Sequence, residues 1–232
     1  MTNKIKIYYH IADLWGWQEL VDQKIELMRA TGLWGAAAEI HLLLHYSTEP
    51  FQRWVTQFAD DPRVKIKYFE NSCRPLGESY SNRYIWEDCW NSNEDFRLFR
   101  FHTKGLYHRT QPHWPIAERW NEYYDYWNIE RWEDCANALL DDYDISGANW
   151  YEPAHFSGNI WWAKSSYIRK LPKFPLPHLI NCKRNLNFAL SNRHDAELWV
   201  GLSKPKVKEF HHHEFYCVYD VPPPENYKLP KI

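Results

Sequence analysis

Two periodicities alternate along the first hundred residues. Residues 4–10 (KIKIYYH) form a short β-rich run, and residues 17–28 (WQELVDQKIELM) carry apolar side chains at helical spacing that stops near Gly32. Residues 39–46 (EIHLLLHY) read as a buried strand, residues 50–58 as a helix opening at its proline, and residues 64–69 (VKIKYF) as an alternating strand. Residues 78–90 (ESYSNRYIWEDCW) are helical by pattern, and residues 96–101 (FRLFRF) return to a strand. Four such alternations predict an α/β fold with a mainly parallel sheet, helices on both faces and right-handed crossovers.

The second half reads differently. Residues 115–140 hold no glycine and only the opening proline, with apolar or aromatic side chains at Ile116, Trp120, Tyr123, Tyr124, Trp127, Trp132, Ala136, Leu139 and Leu140, which predicts one long or two short helices. Residues 145–170 break into short strand-like pieces at Gly147, Pro153 and Gly158. Residues 171–177 (LPKFPLP) must be extended, because proline donates no backbone hydrogen bond. Residues 193–202 suggest a last helix, residues 206–215 a last strand, and VPPPEN an extended strap. No internal repeat and no long linker interrupts the chain, so a single domain is expected.

Charge narrows the picture. With 28 Lys+Arg against 30 Asp+Glu the net charge is −2, which gives no basic excess for nucleic acid. The mean hydropathy of −0.70 and the lack of any run of about 18 apolar residues exclude a membrane-spanning helix. The N-terminus shows no secretion signal. Five cysteines, Cys73, Cys89, Cys135, Cys182 and Cys217, have no CxxC spacing and read as reduced thiols of a cytoplasmic protein. Aromatic residues reach 18%, 14 of them Trp, a side chain suited to stacking on flat apolar faces.

In an open α/β sheet, ligands bind beyond the carboxyl ends of the strands, so the polar residues there are the candidates. They are His10, Asp13 and Trp15 after the first strand, His45 and Ser47 after the second, Asn71, Ser72, Arg74, Gly77 and Glu78 after the third, and His102, Thr103, Lys104 and Gly105 after the fourth. The HTKG run suits a phosphate or diphosphate: lysine supplies a point charge, histidine a donor, and glycine close backbone approach. Ordinary loop residues would look the same. No Walker-type or GxGxxG loop is present, which disfavours P-loop and Rossmann dehydrogenase chemistry.

Three further groups carry chemistry. Ser157, Gly158 and Asn159 with Trp161 and Trp162 combine small polar groups and aromatic faces, as a sugar site requires. The alternative is that the tryptophans are core, pointing to opposite faces of a strand. Asp195 and Glu197 open a predicted helix, where Asp195 suits a cap and Glu197 a general base. His211 and His213 share one strand face and could share a metal, whereas His212 points away. Asp141, Asp142 and Asp144 follow a helix and read as its solvated end.

Taken in order, YYHIADLWGWQELVDQKIELMRATGLW, LFRFHTKG, DISGANWYEPAHFSGNIWWAKSSYIRKLP and AELWVG resemble bacterial and large-virus glycosyltransferases of the glycosyltransferase-A (GT-A) fold, including chlorella-virus transferase domains and rhamnan-synthesis proteins. The resemblance implies a Rossmann-type sandwich with a nucleotide-sugar (donor) half over residues 1–110 and an acceptor half over residues 111–232 of the same domain. It implies a nucleotide-diphosphate-sugar co-substrate, a glycan or saccharide acceptor and a place in polysaccharide biosynthesis. His10, Glu78, His102, Thr103, Lys104 and Gly105 would bind the donor, residues 157–162 would shape the sugar and acceptor pocket, and Glu197 or Asp195 would be the base. Members of the fold carry Asp-x-Asp where this chain has His102-Thr103-Lys104, which leaves dependence on Mn or Mg open. If the histidine run sits as the late histidine of metal-dependent relatives does, His211 or His213 would face the diphosphate. Rival functions are a non-catalytic carbohydrate-binding protein, a nucleotide-sugar or phosphate-ester hydrolase, and a metal-dependent hydrolase built on the histidine run.

Overall fold

A computed structural model describes residues 3–14, 16–45, 48–69, 77–103, 114–151, 155–174, 195–213 and 223–229. Its strands are β1 (Ile5–Ala12), β2 (Glu39–His45), β3 (Val64–Phe69), β4 (Arg97–His102), β5 (Ile145–Gly147), β6 (Trp150–Tyr151), β7 (His155–Phe156), β8 (Trp161–Lys164) and β9 (Val207–Glu209). Its α-helices are α1 (Trp17–Ala30), α2 (Leu33–Ala36), α3 (Glu49–Trp54), α4 (Gly77–Asn91), α5 (Trp114–Asp125), α6 (Trp132–Ala138), α7 (Ser165–Ile168) and α8 (Asp195–Leu198).

One seven-stranded sheet runs β3-β2-β1-β4-β8-β5-β9, and β6 and β7 form a separate antiparallel pair. β1 pairs in parallel with β2 and β4, β2 with β3, and β5 with β9. Only β8 opposes the rest, antiparallel to both β4 and β5. The fold is therefore mixed α/β, a single domain built on one mostly parallel sheet. Lys65 and Lys67 stand exposed on the edge strand β3, where charge discourages edge-to-edge pairing.

Period-two alternation divides the core. Ile5, Ile7, Tyr9 and Ile11 of β1 join Ile40, Leu42, Leu44, Phe99, Phe101 and Trp162 in one apolar cluster with α1, α3, α5 and α6. On α1, Trp17, Leu20, Val21, Ile25 and Met28 make the buried stripe. The other face packs Tyr8, Leu43, Leu98, Trp161 and Ala163 against α4, α7 and α8. That face also holds buried polar side chains from alternate strand positions: Lys6 and His10 on β1, His41 and His45 on β2, Arg100 and His102 on β4.

Several boundaries differ from expectation. Residues 115–140 form two helices joined by a π turn at Tyr126–Glu130, which resets the helical phase so that Tyr123, Tyr124, Tyr126 and Trp127 are all buried. The last helix is one turn plus a 3-10 turn, Trp199–Gly201. Among the described residues of the expected last strand, Val207–Glu209 is the part that is strand. The VPPPEN strap ends in a 3-10 turn at Pro224–Asn226, not in extended chain. Cys89 and Cys135 are buried free thiols.

Candidate functional site

From β1 the chain moves outward to β2 and β3, then returns to place β4 on the other side of β1. The carboxyl ends of β1 and β4 thus flank the point where the winding reverses, which is where an open α/β sheet forms its ligand crevice. Thr103 closes that edge. Its N–H donates to the His10 carbonyl at 3.1 Å, and its hydroxyl accepts from the Ala12 N–H at 3.2 Å. Lys104 and Gly105 follow directly in sequence and lie outside the described residues.

Behind this edge lies a buried polar cluster. Glu78, in the first turn of α4, is 18% exposed. Its Oε2 accepts from Arg100 Nη2 and from Asn159 Nδ2, each at 2.7 Å, and its Oε1 is 3.4 Å from His102 Nδ1. Burial alone would raise the Glu78 carboxyl, but the charges of His102 and Arg100, with the Arg100 hydrogen bond, outweigh it and hold the group well below the ordinary carboxylate value. His102 Nε2 donates to the Gly158 carbonyl at 2.8 Å. With a carbonyl at one nitrogen and a carboxylate at the other, the ring is matched by its doubly protonated form.

His10 differs. It is 4% exposed, its Nδ1 meets Ser81 Oγ at 2.8 Å, and its ring centroid is 5.9 Å from that of His45. Burial pushes its basicity well below the ordinary histidine value, so it stays neutral near pH 7.

The turn at Ser157–Asn159 covers the far side of the cluster. Gly158 has φ 80° and Asn159 φ 52°. Arg100 Nη1 donates to the Asn159 carbonyl. Asn159 Oδ1 accepts from Trp161 Nε1 at 2.9 Å, while its Nδ2 reaches Glu78 and, at 3.4 Å, the Ala196 carbonyl. Asn82 Nδ2 also donates to the Ala196 carbonyl, at 2.9 Å. These bonds tie α8, and with it Glu197, to the turn and to α4. Asp195 opens that helix, and its side chain lies outside the described residues. Arg100 Nε and Asn82 Oδ1 are buried without a hydrogen-bond partner among the described residues.

The sequence-derived site residues thus sort into groups. His10, Glu78, His102, Thr103 and the 157–159 turn come together, and Glu197 follows Ala196, whose carbonyl is tied to the turn. Glu78 and His102, expected as donor ligands, have the polar atoms described above engaged within the protein. Trp161 and Trp162, expected at the sugar pocket, are both fully buried, because a central strand covered on both faces leaves neither ring open. Trp162 stacks on Phe99 at 4.9 Å and donates to the Asn128 carbonyl. His211 Nδ1 meets the Tyr123 hydroxyl at 2.9 Å, and the His213 N–H donates to Asn149 Oδ1. Among the described residues no group of three His, Cys, Asp or Glu is placed to hold a metal ion. Arg100, Ser81 and Asn82 also belong to this cluster, and no motif marks them in the sequence. The available signal was the pair of arginines, Arg97 and Arg100, inside the otherwise aromatic and aliphatic run FRLFRF, since an arginine enters a core only when partnered.

No family model matches the chain, and no curated protein matches it. Among solved structures it is similar to HddC from Yersinia pseudotuberculosis, at 12% identity and a TM-score of 0.47 over 90% of each chain. It is also similar to a Desulfovibrio desulfuricans G20 protein provisionally assigned as a nucleotide-diphospho-sugar transferase, at 9% identity and a TM-score of 0.43 over 91% of this chain and 81% of that one. Both scores lie below 0.5, so the likeness is loose, and what the site can do has to come from its own side chains. No helix of the described residues is long and apolar enough to cross a membrane.

Proposed function

We propose that the protein is a glycosyltransferase moving a sugar from a nucleotide-diphosphate-sugar to a hydroxyl of a saccharide or glycan, with residues 1–110 serving the donor and residues 111–232 the acceptor. The observation that carries this reading is the double tie of Thr103 to His10 and Ala12. It fixes the end of β4 at the winding reversal, immediately before the HTKG lysine. In this reading Lys104 neutralises the diphosphate, Gly105 allows its close approach, and Thr103 lines the grip. The acceptor hydroxyl gives its proton to Glu197, or to Asp195, and its oxygen attacks the anomeric carbon. The bond from that carbon to the diphosphate oxygen breaks, and the nucleoside diphosphate leaves with the electron pair. Lys104 meets the charge that develops on the leaving group, the point at which fixed electrostatics contributes most.

Thermal melts against nucleoside diphosphates and their sugars, with manganese or with chelator, test the reading. A donor at about 100 times its Kd adds about 2.7 kcal/mol of stability and raises Tm. Lys104→Ala is expected to lower turnover by about 10²-fold, and Glu197→Gln to abolish transfer while leaving the donor-induced shift intact. Wild-type turnover in Lys104→Ala, or no response to any activated sugar, refutes the proposal. Stabilisation by free saccharides alone would instead indicate a carbohydrate-binding protein.

A further inference from the structure

Two consecutive left-handed residues, Gly158 and Asn159, do not hold themselves in place, because that region is costly for a residue with a side chain. Here the turn is held from the α4 and β4 side. Both of its carbonyls accept side-chain hydrogen bonds, Gly158 from His102 and Asn159 from Arg100. One carboxylate, Glu78, gathers all three groups that hold the turn: Arg100 and Asn159 by hydrogen bonds and His102 by charge. The same Asn159 amide reaches the Ala196 carbonyl of the helix that carries Glu197.

We propose that Glu78 is a positioning residue and not a donor ligand. It fixes the left-handed turn, and through the turn it fixes the spacing between the end of β4 and Glu197. The role of that spacing in catalysis rests on the glycosyl-transfer reading above; the clamp itself does not. Charged and titratable groups near His102 include Glu78 from α4, Arg100 from its own strand and His10 from β1, with His45 of β2 beside His10. Glu78 is an anion. Its charge favours the imidazolium that donates to the turn.

The test compares wild type with Glu78→Gln in two readouts. Without substrate, NMR titration of the His102 ring is expected to give a pKa lower by about one unit or more in the variant, since an adjacent opposite charge favours the charged form by that order. In turnover, kcat is expected to fall by about 10²-fold, the scale of an ångström misplacement of reacting groups, with donor KM changed less than about threefold because uniform binding is retained. An unchanged His102 titration, an unchanged kcat or a loss confined to donor KM overturns the proposal. If wild type binds no nucleotide sugar, the transferase reading fails by itself, and the His102 titration still decides whether Glu78 holds the ring. Should Glu78→Gln not fold, Asn159→Gly keeps a left-handed backbone while deleting the amide. It is expected to fold with a lowered melting temperature, because the buried Trp161 Nε1 loses its acceptor, and to lose about tenfold in kcat, part of the same misplacement; full activity overturns the proposal.

Discussion

Gly158 lies close against the ring of Tyr124: a Cβ placed on the glycine would stand 2.9 Å from Tyr124 Cε2 and Cζ. Tyr124 is 1% exposed and cannot retreat. Gly158 also has φ 80°, so two independent demands meet at one residue. Gly158→Ala is expected to destabilise the chain by about 2 kcal/mol or more, from overpacking and left-handed strain together. For a chain of this size that is a Tm lower by about 4–8 °C in calorimetry. A melting temperature equal to wild type would mean that the turn does not need its close contact with α5.

Trp162 makes a contrasting prediction. Its ring is fully buried and stacked on Phe99, so its contribution is to packing. Trp162→Ala is expected to cost about 3–5 kcal/mol, the range for deleting a buried tryptophan. Trp162→Phe, which keeps an aromatic ring, is expected to leave saccharide affinity unaltered even where stability drops. Native melting combined with lost acceptor affinity in Trp162→Phe would return this residue to the sugar site.

Acid sensitivity follows from the polar face under α4. His41 is 2% exposed, stacked on Tyr8 at 4.6 Å, with Nδ1 at Tyr84 and Nε2 at Glu39. Burial, against a partial counter-pull from Asp88, lowers its pKa to about 4. The folded value lies below the unfolded one, so the chain must expel a proton from this ring to fold at mildly acid pH. The resulting stability is complete above about pH 6.5 and is lost as pH falls toward about 4. His10 and Glu78, both depressed in the folded state, act in the same direction. Urea denaturation at pH 7, 6 and 5 is expected to show falling stability with a shallower slope in His41→Gln. Equal slopes in the two proteins would exclude His41 as a source of the acid loss.

Much of the fold was legible because it depends on local period. Val64–Phe69 is observed over the expected residues, and Lys4–His10, the α1 stripe and the α4 stretch are each found with ends displaced by a few positions. The site was legible only in outline. The rule that ligands gather at carboxyl ends of strands pointed to His10, Glu78, His102 and Thr103. It did not indicate which of their atoms are taken up inside the protein, since the partners of Glu78 lie 22 and 81 positions away in sequence. The same limit misplaced Trp161 and Trp162: their pattern marked them as aromatic strand residues, and whether a ring is open or covered depends on what packs above it.

The amino-acid sequence by itself determined the alternating elements, the parallel first sheet half and the residues that stand where β1 and β4 end, because hydrophobic period and turn residues act over a few positions. Only the tertiary structure decided that β8 enters against the other strands, that an arginine inside β4 is neutralised from α4, and that Gly158 and Asn159 take left-handed backbones under that clamp. These depend on contacts between distant segments, whose energies arise after the chain has closed on itself.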